Sequence, residues 1–127
     1  MILFIDASDY EQTKLVLVNR KIEVHSFRTH DLSENLLPEI IKFSKKYKVE
    51  LKRLKKIAVV TGPGGFSRIR TAVAVSNALA FGLRIPVTGI KKHEVSEDLT
   101  KLGSMPAKKM TEPYYGKEPN ITLSKNR

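Results

Sequence analysis

The sequence predicts an α/β fold in which a mixed sheet packs against two helices, in the order β-β-β-α-β-α-β. Three short apolar or alternating segments with short connections open the chain, as in an antiparallel meander. Further along, residues 57–90 combine an apolar run, a glycine-rich turn, a long uncharged segment and a second apolar run. Helical crossovers connect parallel strands, so we expect the later strands to run parallel to the first.

The three N-terminal strands are predicted over residues 1–6, 14–18 and 22–28. The first of them, MILFID, is apolar and ends in the carboxylate of Asp6. Residues 19–21 suit a hairpin turn between the second strand and the third. His25 and His30 lie apart from other metal-ligating residue types, so we predict strand-edge or surface positions for them and no metal site.

The first helix is predicted from about Asn35 to Tyr47. Ser33 or Asn35 can cap it, and Pro38 fits only in the first turn, where a missing N–H group has no intrahelical partner to lose. Its apolar residues form a sheet-facing stripe and an extension that is too wide for a single seam. The stripe consists of Leu36, Ile40, Phe43 and Tyr47, and the extension of Leu37, Ile41 and Ser44.

The second helix is predicted to start at Ser67, its N-cap, and to end before Pro86. No charged residue occurs from Thr71 to Leu83, and a helix that is apolar all round is usually covered on both sides. The sheet can cover one side, and either the rest of the domain or a partner must cover the other. Because the rest of the chain is short, we favour a partner. The predicted partner-binding residues are Leu37, Ile41, Thr71, Ala74, Val75, Ala78 and Phe81.

The order of elements is that of one lobe of the ribonuclease H-like and actin-like folds, and we assign residues 1–92 to such a lobe. Beyond it the pattern weakens. Lys91 to Leu102 can form a short helix, and residues 103–111 have the composition of a linker. Residues 93–112 therefore form a short connecting segment, and residues 113–127 an extended tail that is too polar and proline-rich to build a core.

Composition excludes several classes of function. The chain has no cysteine, which rules out disulfides and thiolate metal sites and suits a cytoplasmic protein. No apolar run reaches the ~18 residues of a membrane span, so no membrane association is expected. The net charge of +10 favours acidic partners, RNA above all, although solubility alone is an alternative explanation.

Basic residues are concentrated between Lys42 and Lys56. Such a run is commonly a solvated face, and its functional alternative is contact with RNA phosphates. Only Tyr47 interleaves with the charges, so no base-stacking platform is predicted and any contact would be with the backbone. The candidate phosphate-contacting residues are Lys45, Lys46, Lys48, Lys52 and Arg53.

The sequence argues against three kinds of catalysis. A ribonuclease H-type nuclease gathers carboxylates around two metals. Asp6 and either Glu34 or Glu39 are candidates, but Thr61 and Gly62 stand where a further acid is needed. Nucleotide hydrolysis is disfavoured because GPGGFS does not match the phosphate-binding loop GxxxxGK[ST]. Covalent catalysis by Ser67 is disfavoured because GFSRI lacks the final glycine of the nucleophile elbow GxSxG. The turn can still serve either weak anion binding or a tight connection. Its candidate anion-binding residues are Gly62, Gly64, Gly65 and Ser67.

Residues 62–70, GPGGFSRIR, closely resemble the GPGSFTGLR pattern of the TsaB (YeaZ) family. SENLLP at 33–38 resembles that family's HSExLLP, and blocks at 78–82, 85–90, 113–115 and 119–122 continue the likeness. Gly65, Ser67 and Arg68 replace the family's serine, threonine and glycine, and Leu32 replaces its usual histidine. Family members carry a second lobe after the strand that ends near Ile90. The chain resembles a minimal version in which residues 93–112 stand in that lobe's place.

The resemblance implies a non-catalytic subunit in making the N6-threonylcarbamoyladenosine (t6A) modification of tRNA. TsaB-like proteins pair with the related catalytic subunit TsaD through two helices, which correspond to residues 35–47 and 67–83. A heterodimer with a TsaD-like enzyme is therefore implied, and a TsaE-like ATPase is a further candidate partner. A homodimer through the same helices is the alternative. No cofactor is expected. The rival functions are a stand-alone nucleotide-binding actin-like ATPase or phosphotransfer lobe, and a basic RNA-binding module that contacts tRNA.

Overall fold

The computed structural model describes residues 1–114, in which five strands and two α-helices follow the predicted order. The sheet has the strand order β3-β2-β1-β4-β5. The pairs β1–β2 and β2–β3 are antiparallel, whereas β1–β4 and β4–β5 are parallel. The predicted fold class and the parallel direction of the later strands are thus confirmed. The elements are β1 (Ile2–Asp6), β2 (Thr13–Val18), β3 (Ile22–Phe27), α1 (Leu32–Lys46), β4 (Lys56–Gly62), α2 (Phe66–Leu83) and β5 (Val87–Lys91).

Strand β4 explains why the sheet needs cover on both faces. All of its residues are buried, because it lies between β1 and β5 and its side chains alternate between two apolar clusters. Ile57 and Val59 face the cluster formed with the helices, whereas Ala58 and Val60 face the opposite cluster. Strand β3 lies at the edge of the sheet and is only partly buried, and its exposed positions include the apolar Ile22 and Val24.

Both α-helices lie on the same face of the sheet, which we call the helix face. Their inner residues pack with Leu3, Ile5, Leu15 and Leu17 of the first two strands. The buried residues of α1 include Leu32, Leu36, Ile40 and Phe43, and those of α2 are Ile69, Ala72, Val73, Ser76 and Ala80.

The opposite face of the sheet is covered by the segment that follows β5. Instead of the single short helix predicted for Lys91 to Leu102, the segment forms two 3₁₀ turns, Lys92–Glu94 and Leu99–Ser104. Leu102 is buried against Phe4, Val16 and Val60, and the neighbouring apolar residues pack around it. These neighbours are Val95, Leu99 and Met105.

The stretch predicted as a linker is anchored to the sheet. Lys108 and Val87 exchange two backbone hydrogen bonds, of 2.7 and 2.8 Å. Farther along, Asn77 of α2 donates to the carbonyl of Thr111 and accepts from its N–H group, both at 2.9 Å. The predicted linker therefore runs along the outer edge of β5. From residue 115 onward, the predicted tail lies outside the described residues.

The structure corrects the predicted starts of both helices. Helix α1 begins at Leu32, and the side chain of Asp31 accepts from the N–H of Glu34, so neither Ser33 nor Asn35 is the cap. Pro38 consequently lies inside the helix and not in its first turn. Helix α2 begins at Phe66 with Gly65 as N-cap, so Ser67 is already helical. In the described part of the chain, no helix has the length and apolar character needed to cross a membrane.

Candidate partner-binding site

The outer side of α2 carries an exposed stripe that contains no charge between Thr71 and Leu83. The stripe consists of Thr71, Ala74, Val75, Ala78 and Phe81. Most of these residues are three or four positions apart in the sequence, so they share one side of the helix, away from the buried Ala72, Val73 and Ser76. Phe81 is 84% exposed, which is unusual for an aromatic side chain. Ala74 and Ala78 are also exposed, and Thr71 and Val75 are half-buried.

Helix α1 adds two apolar side chains to the helix face. Leu37 is 42% exposed and Ile41 is half-buried, whereas Leu36 and Ile40 point into the core. The two helices contact each other on this face of the sheet. All seven residues predicted for partner binding are therefore at least partly accessible, and the segment after β5 covers the opposite face instead of these side chains.

Depressions lie at both ends of the α2 stripe. The larger, of about 850 Å³, lies between the last turn of α2 and the strand-like segment at 107–109. Phe81, Arg84 and Ile85 contribute to its lining. The smaller, of about 360 Å³, lies at the first turn, where Phe66 and Arg70 meet Thr71 and Ala74. A second helix can use such depressions for its larger side chains while it approaches the two alanines closely.

Phe66 is a candidate interface residue that the sequence analysis missed. It is 58% exposed, and the guanidinium of Arg70 lies 5.2 Å from its ring centroid. Because the second helix is predicted to start at Ser67, Phe66 falls outside that prediction, although its spacing to Arg70 and Ala74 follows the helical period. That period is the signal from which its position at the end of the stripe could have been predicted.

The glycine-rich turn is closely packed by two other parts of the chain. Gly62 has φ +123°, and a Cβ built on it would lie 2.2 Å from the carbonyl oxygen of Tyr114. A Cβ on Gly64 would lie 2.7 Å from the Cα and the carbonyl oxygen of Ser8. The Gly62–Pro63 peptide bond is cis. The tight-connection hypothesis thus has a direct geometric basis, while anion binding by Gly62, Gly64, Gly65 and Ser67 stays a prediction.

Asp6 lies at the carboxyl end of β1, close to this turn. Its carboxylate accepts from the N–H and the hydroxyl of Ser8, at 2.9 and 2.6 Å, and from Lys92 Nζ at 2.9 Å. Burial alone raises the pKa of Asp6, but the hydrogen bonds from Ser8 and Lys92 outweigh burial and lower the pKa below its ordinary value. The group is therefore an ionised, fully partnered carboxylate.

The other acidic candidates do not join Asp6. Glu34 is exposed in the first turn of α1, and Glu39 pairs with His25 at 3.5 Å and with Lys42 at 3.7 Å. Within residues 1–114, no three His, Cys, Asp or Glu side chains come together as they would to hold a metal ion. In this arrangement, Asp6 can hold the loop after β1 against the segment after β5.

The five candidate phosphate-contacting residues are all exposed at one end of the molecule. Lys45 and Lys46 belong to the last turn of α1, and Lys48 follows it with φ +57°. Lys52 and Arg53 lie in a 3₁₀ turn at Leu51–Arg53. The structure brings these residues to the end of the sheet where β1 and β4 begin.

Comparison with known proteins places the chain in a family. Residues 26–106, more than half of the chain, match the family described as TsaD: tRNA N6-adenosine threonylcarbamoyltransferase. The chain belongs to this family. The match includes both helices, the glycine-rich turn and the 3₁₀ turns that cover the opposite face.

Among curated proteins of the family, the chain is similar to those named tRNA threonylcarbamoyladenosine biosynthesis protein TsaB. It is 37% identical over 68 residues to the protein of Buchnera aphidicola subsp. Baizongia pistaciae, a match that covers 54% of this chain and 31% of that protein. It is 33% identical over 78 residues to the protein of the subspecies Schizaphis graminum, covering 59% of this chain and 37% of that protein. The matched part thus spans about a third of the length of these relatives.

Solved structures agree with the sequence relatives. YeaZ from Pseudomonas aeruginosa superimposes with a TM-score of 0.66 at 28% identity, covering 71% of this chain and 44% of that one. A second structure, titled as an uncharacterized protein with similarity to peptidase YeaZ from the same organism, has the same TM-score and identity and is covered to 42%. The resemblance to TsaB (YeaZ) is confirmed by these matches.

Proposed function

We propose that the protein is a non-catalytic scaffold or activator subunit in t6A biosynthesis. It docks on a TsaD-like catalytic subunit through the helix face. The observation that carries this proposal is the uncharged stripe of α2, in which Phe81 is 84% exposed. Burial of apolar area at roughly 25 cal/mol per Å² favours association, and alanines at the centre of the stripe allow close helix packing.

A non-catalytic role fits the chemistry of the residues at the carboxyl ends of the strands. Asp6 is held by Ser8 and Lys92, so it is not poised as a base or as one of several clustered ligands. The space beside Gly62 and Gly64 is filled by the backbone of Tyr114 and Ser8. A site for nucleotide hydrolysis would need further phosphate- and metal-binding groups there.

The family match and the TsaB relatives support the choice of partner. A TsaD-like enzyme is proposed as the occupant of the helix face, and a TsaE-like ATPase as an additional partner of the complex. Self-association through the same stripe is the alternative, because an apolar face can bury itself against its own copy. The proposed setting is the cytoplasm.

Charge introduced into the stripe tests the proposal. Ala74 and Ala78 are exposed, so Ala74→Glu and Ala78→Arg should leave the monomer folded. Each change would bury an unpaired charge in the complex, and we expect affinity for the TsaD-like subunit to fall by at least a hundredfold, about 3 kcal/mol. Co-purification and light scattering coupled to size exclusion measure the loss.

Ser26→Glu is the matched control, because Ser26 is exposed on β3, away from both helices. It should leave complex formation unchanged. If Ala74→Glu co-purifies with the partner as well as the control does, the helix face is not the interface. Loss of a homodimer and no effect on the TsaD-like complex would assign the stripe to self-association.

Calorimetry with Mg-ATP separates this proposal from the stand-alone ATPase or phosphotransfer hypothesis. The proposal expects no binding heat from the isolated protein. Micromolar binding that is lost in Asp6→Asn would favour the enzyme hypothesis, because an actin-like ATPase uses the carboxyl ends of the strands for its nucleotide.

A further inference from the structure

Charge is strongly polarised along the strand axis. The connections at the end where the parallel strands begin are residues 19–21, 47–55 and 84–86, which together form the amino-end surface. Glu50 is the acidic residue of these connections, and it pairs with Lys52 at 3.1 Å. The basic residues of the amino-end surface are Arg20, Lys21, Lys48, Lys52, Arg53, Lys55 and Arg84, and all are exposed.

The connections at the opposite end carry mostly acids, although Lys14, Arg70 and Lys91 are exposed cations near the same end. The connections at residues 7–12, 28–31 and 92–98 carry the exposed acids Asp9, Glu11, Asp31, Glu94, Glu97 and Asp98. Both basic residues of these connections are held in ion pairs, Arg28 with Glu11 at 3.6 Å and Lys92 with Asp6 at 2.9 Å. In these two sets of connections, the cations at the amino end are thus more available to bind an external anion than the cations at the opposite end.

The fold brings the hairpin between β2 and β3 next to the turn before β4. A recess of about 410 Å³ is lined by Asn19, Lys52, Arg53 and Lys55, together with Met1. The N–H of Lys55 donates to the carbonyl of Met1 at 2.9 Å, and that of Ile57 to Pro86 at 3.1 Å, so the connections are tied to the strand starts. The connections at 47–55 and 84–86, which carry most of the cations, are therefore held against the starts of the strands.

We propose that the amino-end surface binds the phosphate backbone of double-helical RNA. Arg20, Lys21 and Lys55 join Lys52 and Arg53 in this site, although they lie in separate parts of the sequence. The identification of the RNA as tRNA rests on the proposed function, whereas the affinity for a phosphate backbone is argued from the charge arrangement. This surface and the glycine-rich turn lie at opposite ends of the strands.

Double-helical RNA fits this surface better than a membrane or a single strand. The large apolar side chains of the three connections are buried or half-buried, so none is available to enter a bilayer. Tyr47 packs edge-on against Phe43 with ring centroids 5.4 Å apart, so it is not a free stacking platform for unpaired bases. Several exposed cations without stacking groups suit the regular phosphates of a duplex.

The salt dependence of binding tests the proposal on the full-length protein. A fluorescent RNA duplex of about 20 base pairs and an unmodified tRNA transcript serve as probes. The variants are Arg20→Gln/Lys21→Gln and Lys52→Gln/Arg53→Gln. Each should weaken binding on the order of tenfold and lower the slope of log K against log salt by about one per contact removed.

Lys14→Gln/Arg28→Gln is the control, because it removes the same charge from the opposite end of the sheet. It should leave the salt slope unchanged. An equal loss in the control, no duplex binding by the unmodified protein, or equally tight binding of anionic phospholipid vesicles would overturn the proposal. Partner binding by the glutamine variants should be retained, so failure of the RNA site and failure of the helix face are distinguishable.

Discussion

At the scale of single residues, the partners of Asp6 make stability depend on pH. Its folded-state pKa is lowered from 3.8, so the carboxylate contributes stability above the unfolded pKa and loses it as pH falls through the folded value. Asp6→Asn should lower the free energy of unfolding by about 2 kcal/mol at pH 7, because hydrogen bonds to an ionised group are lost. The difference from the unmodified protein should shrink below pH 3.8. Urea titrations at several pH values measure it.

Glu97→Gln is the control for this prediction, because Glu97 is exposed in the same region of the molecule. Its effect should be within about 0.5 kcal/mol at every pH. A difference between Asp6→Asn and the unmodified protein that stays constant from neutral to acid pH would contradict the linkage.

Replacing glycine by alanine should have opposite effects on stability at two positions. A Cβ on Gly64 would lie 2.7 Å from backbone atoms of Ser8, whereas one on Gly82 would meet no atom of residues 1–114 within 4 Å. Gly64→Ala should therefore destabilise the fold by roughly 1–3 kcal/mol, since the two loops must separate. Gly82→Ala should stabilise it by up to about 1 kcal/mol, because alanine favours the helix. Thermal and urea unfolding decide the signs, and a stable Gly64→Ala protein would show that the loops yield easily.

At the scale of elements, helix α1 shows how a local rule can mislead. Pro38 suggested a helix start near residue 35, because proline suits the first turn. The structure instead starts α1 at Leu32, with Asp31 as the cap. Leu32 and Leu36 are buried on the core side of the helix, so tertiary packing extends α1 across a proline that local propensity disfavours.

Pro38→Ala should consequently raise the stability of α1. Proline lacks the N–H that would donate to the carbonyl of residue 34, and its own side chain is exposed, so the change costs little packing. We expect the free energy of unfolding to rise by roughly 1–3 kcal/mol. Lys42→Ala, at another exposed site of the same helix, should change it by less than about 0.5 kcal/mol. Unchanged or reduced stability of Pro38→Ala would mean that the helix has adapted to its proline.

The strands and α2 were predictable because each is a continuous segment with clear boundaries. LVLV and IAVV are apolar runs that end at polar residues, and the long segment after the glycines is uncharged from Thr71 to Leu83. The cover of the opposite face was not predicted, because 3₁₀ turns are short and lack such a pattern. Its apolar residues Val95, Leu99, Leu102 and Met105 were visible, but nothing local indicated which face they would cover.

The two candidate sites also differ in how far the sequence predicts them. The helix-face stripe could be predicted from the absence of charge along α2, a property of one continuous segment. The amino-end surface could be predicted only in part. Lys52 and Arg53 are near each other in sequence, but the hairpin that carries Arg20 and Lys21 reaches the same end through the sheet topology, where its Asn19 lines a recess with Lys52 and Arg53. Long-range juxtaposition of this kind has no signature in local sequence.

At the scale of the whole molecule, a single lysine connects the sheet to residues 92–105, the segment that covers its opposite face and that we call the cover. Lys56, at the start of β4, is only 9% exposed and has no carboxylate partner among residues 1–114. Its Nζ donates to the carbonyls of Leu102, Gly103 and Met105, at 3.0, 3.3 and 2.9 Å. Burial lowers the pKa of Lys56, so these three acceptors are what offsets the cost of keeping the ammonium ionised there.

Lys56→Met should therefore release the cover from the sheet while the helix face stays intact. Methionine retains an unbranched apolar side chain but leaves three carbonyls without their donor, so we expect a loss of about 2–3 kcal/mol. Hydrogen exchange should accelerate in residues 95–105 before it does in α1 or α2. The neighbouring Lys55→Met, at an exposed position, should change neither quantity. Uniform acceleration throughout the sheet would contradict local release and would mean that the two faces of the sheet unfold together.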